Sequence, residues 1–151
     1  MQTNQLVLVG AEHWIHPAWR GTFYPADLPE DWLLSYYNTQ FQAVYLPAGA
    51  WQGADEQTWN TWLSDTQADF HFVLEAASGA IFTPESSRVH LATPAWAAAH
   101  IWWLDEAPDV RALAQRINQQ VVLGEPLFVF SRSGKLDLLE QVQALKQVLG
   151  Y

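Results

Sequence analysis

The sequence predicts an α/β fold, an open parallel sheet of about five strands with flanking helices. Short, continuous apolar runs recur along the chain, each of the length and composition of a strand buried on both faces. Each is followed by a stretch with helical apolar spacing, and alternating strands and amphipathic helices imply parallel strands joined by right-handed crossovers. With 151 residues, 50% of them apolar and 15% charged, the chain fits a single domain spanning 1–151.

Leu6 to Gly10 is the first strand. A loop rich in His, Trp, Gly and Pro follows. Asp27-Leu28-Pro29-Glu30 then supplies an acidic residue and a proline at a helix start, with Trp32, Leu33, Tyr36 and Tyr37 at helical spacing as far as Phe41. Ala43 to Leu46 is the second strand, stopped by Pro47 and Gly49, and Asp55 opens a helix with Trp59, Trp62 and Leu63 on one side. Phe70 to Leu74 is the third. From Ala76 to His100 the pattern is least regular, and Thr93-Pro94 reads as the N-cap and first position of one short helix. Ile101 to Leu104 is the fourth strand. Asp109 caps a helix carrying Val110, Leu113, Ala114 and Ile117, Leu127 to Phe130 is the fifth strand, and the last helix shows Leu138, Leu139, Val142, Leu145, Val148 and Leu149 on one stripe.

Composition narrows the function classes. The absence of cysteine removes disulfides, cysteine-ligated zinc and thiol nucleophiles, and fits a reducing compartment. No apolar run approaches the ~18 residues of a membrane span. Met1 to Gln5 lack the basic region of a signal peptide, so a cytoplasmic location is expected, with no membrane partner. A net charge of -9 with only seven Lys and Arg argues against a nucleic-acid partner. Nine tryptophans are the outlying number, and Trp on a helical period is more often core than ligand platform.

The stretch Gly10, Trp14, Trp19-Arg20-Gly21-Thr22-Phe23-Tyr24-Pro25, Leu28-Pro29, Trp32-Leu33 and Tyr36-Tyr37 closely resembles the opening motif of the YecE-like family, domain of unknown function 72. Phe41 to Val44 and Phe70 to Phe72 continue the order, and Leu113 to Ile117, Pro126 to Phe130 and the final amphipathic helix resemble the family's last helix, last strand and closing helix. The resemblance implies a TIM-type (β/α)8 barrel, which normally takes about 250 residues. The expectation is therefore a shortened, divergent member that keeps the first three and last two strand units, with residues 77 to 100 lying across the deletion. Since the last strand of a barrel neighbours the first, the remaining five should pair in the order 4-5-1-2-3. The crossing segment should cover part of the former barrel interior, and a homodimer through aromatic residues the rest.

Departures from the family pattern bear on function. Tyr45 and Pro47 stand where the resemblance implies an acidic residue and an asparagine, Glu75 where it implies a lysine, and Ser131-Arg132-Ser133 where it implies asparagine-asparagine-aspartate.

Ligands in parallel α/β folds gather at the C-terminal strand ends. That rule nominates Glu12, His13, His16, Trp19 and Arg20 after the first strand, Glu75 after the third, Asp105 and Glu106 after the fourth, and Ser131, Arg132 and Lys135 after the fifth. Glu12 with Glu75 suggests an acid/base pair, although solvated carboxylates are the commoner fate. His13 and His16 suggest metal ligands but lack a well-spaced third, so no metal or cofactor is expected. Ser131 to Lys135 joins a strand to a helix, where free N–H groups favour an anion, though an ordinary turn fits as well. Trp14, Trp19 and Trp51 offer stacking faces or loop packing. Arg20 is expected to point inward from a loop covering the strand ends, or to hold that loop through a carboxylate or carbonyls. No reaction follows from the residues. The favoured reading is a non-catalytic binding or assembly module; the alternative is a hydrolase or isomerase acting on a small anionic, phosphorylated or sugar-like ligand.

Overall fold

The computed structural model describes residues 6–106 and 109–150; the reading of Met1 to Gln5 lies outside them. The strands are β1 (Val7–Ala11), β2 (Ala43–Leu46), β3 (His71–Glu75), β4 (Val89–Ala92), β5 (Ile101–Trp103) and β6 (Leu127–Ser131). The helices are α1 (Leu33–Gln40), α2 (Ala48–Trp51), α3 (Glu56–Ser64), α4 (Pro94–His100), α5 (Val110–Leu123) and α6 (Leu136–Leu149), with 3-10 turns at Pro17–Trp19 and Glu30–Trp32.

Side-chain caps fix several helix starts as the sequence predicts. The Asp55 carboxylate accepts from Thr58 N, the Thr93 hydroxyl from Trp96 N, and the Asp109 carboxylate from Arg111 N and Ala112 N. Gly124, with φ of 71°, ends α5 in the left-handed conformation that glycine adopts without strain.

All strand pairs are parallel, but the strands form two three-stranded ladders, β5-β6-β1 and β2-β3-β4, in place of one five-stranded sheet. The expected neighbours around the last strand are present: β6 lies between β1 and β5. The expected strand count is corrected to six. Val89–Ala92 adds β4 outside β3, so the third strand is not an edge. Its Val-His-Leu-Ala sequence has no continuous apolar run and it is only partly buried, as befits an edge strand.

Between β1 and β2 a regular ladder is replaced by individual bonds. Gln42 N donates to Val9 O at 3.1 Å, and the Gln42 amide oxygen accepts from Val9 N at 3.3 Å. The buried Tyr37 hydroxyl accepts from Ala11 N and donates to Ala43 O, both at 2.7 Å. At the C-terminal end, His13 N donates to Tyr45 O at 2.8 Å beside a single Glu12–Tyr45 bridge.

Strand alternation sorts the core into two faces. Val7, Val9, Val44, Leu46, Phe72, Leu74, Leu127 and Val129 lie in the larger cluster with the helices. Leu8, Ala43, Tyr45, Val73, Ile101, Phe128 and Phe130 form the other face with Trp103, so the alternates of Val7, Val44 and Phe72 line the inner side. Part of the segment 77 to 100 covers that side: α4 brings Trp96 to 5.6 Å from Phe128 and 5.5 Å from His90, ring centroid to centroid. Three apolar residues expected on the helices' apolar faces are exposed instead, Trp32 at 64%, Val110 at 42% and Val148 at 83%.

Candidate functional site

At the C-terminal strand ends, Asp105 after β5 meets the loop after β6. Its carboxylate accepts from Arg132 N at 2.5 Å, Ser133 N at 3.3 Å, Ser133 Oγ at 2.5 Å and Ser131 Oγ at 3.2 Å. The anion held by those N–H groups is the protein's own. Partial burial pushes the Asp105 pKa up, but the bonds from Ser133, Arg132 and Ser131 together outweigh it and hold the carboxyl below its ordinary range. Gly134 N donates to Ser131 Oγ, and Gly134 takes a φ of 69°, closing a tight turn.

The Arg132 side chain leaves this turn toward the inner face. Its guanidinium lies 3.7 Å over the Trp103 ring and 5.8 Å from that of Tyr45, within cation–π range. Arg132 Nη1 donates to Glu12 at 2.9 Å, and Nε lies 3.6 Å from Glu106. Two carboxylates offset its charge. Tyr45 packs edge-on against Trp103 at 4.9 Å, and burial first, then the nearby Glu75, push its hydroxyl pKa up, with Arg132 opposing; the phenol stays protonated. The Glu75 carboxylate accepts from Ala48 N at 2.7 Å at the start of α2. Glu12 and Glu75 thus bind separate partners and share no hydrogen bond.

The two histidines after β1 serve the loop. His13 Nδ1 accepts from Trp14 N at 2.8 Å and Ile15 N at 3.3 Å, and the residue takes a φ of 65° that is rare outside glycine. Burial, then the charge of His16, lower the His13 pKa to about 4, so the imidazole is neutral and free to accept. His16 Nε2 donates to Glu12 O at 2.7 Å and its ring rests against Gly134 and Trp19. No group of three or more His, Asp or Glu arranged to hold a metal occurs among the described residues.

Several candidates belong elsewhere. Trp14, Trp19 and Trp51 are buried, offering packing and not a stacking face. Trp19 Nε1 donates to Gly134 O at 2.8 Å, and Trp51 Nε1 to Glu75 O at 3.0 Å. The expectation that Arg20 points inward is corrected: the residue is exposed and donates to Leu28 O at 2.5 Å, holding the loop by a carbonyl. The loop's aromatics enter the helix-side cluster and not the inner face. Lys135 is exposed at the start of α6.

Sequence reasoning missed the aromatic bed of Tyr45 and Trp103 and the part of Ser133. The visible signal was an aspartate just after one strand and a Ser-Arg-Ser run at the end of the next. It also missed a pair at the opposite, N-terminal end of the inner face, where His71 Nδ1 and His90 Nε2 lie 3.0 Å apart.

A family model described as Protein of unknown function DUF72 matches residues 8–100. The matched region runs from β1 through α4, and so includes the stretch 77 to 100 and β4. Comparison with curated proteins and with solved structures finds no match. Among the described residues, no helix is long and apolar enough to cross a membrane.

Proposed function

The chain belongs to the DUF72 family, and from that premise we propose that it is a non-catalytic member, a binding or assembly module that keeps the barrel-type arrangement of first and last strands with fewer strand units. The observation that carries this reading is the engagement of the polar groups at the strand ends with one another. Asp105 takes four hydrogen bonds from the loop after β6, Arg132 is paired with Glu12 and stacked on Trp103, and Glu75 caps α2. His13 and His16 hold backbone groups. General acid/base work needs a group in reach of a substrate proton with its pKa near the working pH. These groups hold structure instead. At the strand ends a small anionic or sugar-like ligand would have to displace Asp105 or Glu12, whereas a second copy of the chain need not; Val122 and Leu123, 87% and 65% exposed on α5, support assembly.

The reading of a small-molecule hydrolase or isomerase draws on one feature, the convergence of Glu12, Glu75 and Arg132 around the protonated Tyr45. Thermal-shift assays with sugar phosphates, neutral sugars and divalent cations separate the two. The module reading expects no stabilisation dependent on Arg132. A rise in Tm with a sugar phosphate that disappears in Arg132→Ala replaces it with the enzyme reading. Light scattering tests the homodimer, and a monomer at all accessible concentrations removes that form of assembly.

A further inference from the structure

On the helix side, a cleft of about 860 Å³ runs between α1 and α6. Phe23, Tyr36, Phe41 and Leu139 contribute to its wall. Lys146 also lines it and is only 7% exposed. Lysine is almost never that buried without an ionic partner. Here Nζ donates to the neutral Gln42 amide oxygen at 3.3 Å, an acceptor already shared with Val9 N, and among the described residues no carboxylate lies within ion-pair distance of it. The other charged residues of the cleft, Asp137 and Glu140, are exposed, one to three turns nearer the start of α6.

We propose that this cleft binds a small amphipathic monoanion, a carboxylic acid with an aromatic or aliphatic body, whose carboxylate pairs with the Lys146 ammonium. An ammonium with one shared neutral acceptor carries an uncompensated desolvation cost, which a carboxylate at the same place removes. Burial pushes the Lys146 pKa below the ordinary lysine value, and a bound carboxylate raises it again. The apolar body covers Phe23, Tyr36 and Phe41, the composition of a small-ligand site with one orienting polar group. The acidic rim selects for a single charge carried deep in the cleft and against polyanions such as diphosphates, whose outer charges would face Asp137 and Glu140.

The test uses the whole chain with hydrocinnamate and its neutral amide, read by isothermal titration and by amide chemical shifts of α1 and α6. Hydrocinnamate is expected to bind at least about tenfold more tightly than the amide, with shifts confined to the cleft. Lys146→Met, which keeps the stem and removes the charge, should lose that preference, and Lys146→Arg should retain it. Equal binding of acid and amide by the wild-type protein, absence of acid binding, or full acid preference in Lys146→Met would each overturn the proposal. The wild-type comparison decides even where a variant folds poorly.

Discussion

The guanidinium of Arg132 lies 3.7 Å over the ring of Trp103 while its Nη1 is held by Glu12 at 2.9 Å, so one side chain ties the loop after β6 to the ends of β1 and β5. Both contacts are partly solvated, since the Arg132 side chain is 45% exposed, and each is worth at most about 1 kcal/mol. Arg132→Ala is therefore expected to lower stability by about 1 kcal/mol in urea denaturation. Arg132→Lys should recover less than half of that, because an ammonium cannot present a flat face to Trp103 while separate nitrogens meet Glu12 and Glu106. Full recovery by lysine would show that charge alone matters there.

Asp105 is the stronger anchor of the same loop, because its carboxylate is the common acceptor for two backbone N–H groups and two hydroxyls. Asp105→Asn should cost about 1–2 kcal/mol, since an amide accepts through one oxygen and puts a donor against other donors. The folded-state pKa is depressed, so the carboxylate's contribution is present above the unfolded value and is lost as pH falls through the folded one. The variant should consequently show a flatter acid limb than the wild type when unfolding is followed from neutral pH downward.

How much of this was legible follows from where the information lies. Runs such as Leu127 to Phe130 and caps such as Asp55 and Asp109 carry their own local cause, and they form the expected elements. β4 is a four-residue partner of an already apolar β3, and α2 is a single turn after Pro47; neither has a periodic pattern long enough to read. At the site, Glu12, Asp105, Ser131 and Arg132 could be nominated from the strand-end rule. That Asp105 would occupy the anion position of the Ser131 to Lys135 loop depends on the register of β5 against β6, a long-range relation. Arg20 was misplaced because its carbonyl partner, Leu28, is set by the path of the loop and not by residue type.

Acid should weaken the fold through its neutral imidazoles. Burial, then His71 and His100, lower the His90 pKa from 6.5 to about 4, as burial and His16 do for His13. His71 is lowered too, by burial first and then by Arg88, with Asp69 opposing. An unfolded histidine takes its proton near 6.5 and the folded one only near 4, so stability is full above 6.5 and falls as pH drops between these values. His90→Gln should reduce the slope of stability against pH in that window while leaving the neutral-pH CD spectrum unchanged. An unchanged slope would mean that the His71–His90 contact, 3.0 Å between ring nitrogens, does not report on folding.

The join between the two ladders should be the point most sensitive to single-atom changes. Gly10 sits where a Cβ would lie 1.8 Å from Ala43 O and 2.6 Å from the Tyr37 hydroxyl, and the first of these is backbone that cannot rotate away. Glycine lets β1 approach β2 closely, and the Tyr37 hydroxyl fills the gap, accepting from Ala11 N and donating to Ala43 O. Burial pushes the Tyr37 pKa well up, which keeps the proton that the second bond needs. Tyr37→Phe removes one oxygen and leaves a buried N–H and a buried C=O unpaired, so it should cost roughly 2–4 kcal/mol, far more than an exposed hydroxyl would. Gly10→Ala should be worse, because it forces the strands apart instead of unpairing two groups, and little folded protein should accumulate. Urea denaturation measures the first. Hydrogen exchange gives the local signature: in Tyr37→Phe the Ala11 amide should lose protection while amides in the interior of the β3–β4 pair keep theirs. A Tyr37→Phe loss below about 0.5 kcal/mol would show that the hydroxyl is not what joins the two ladders.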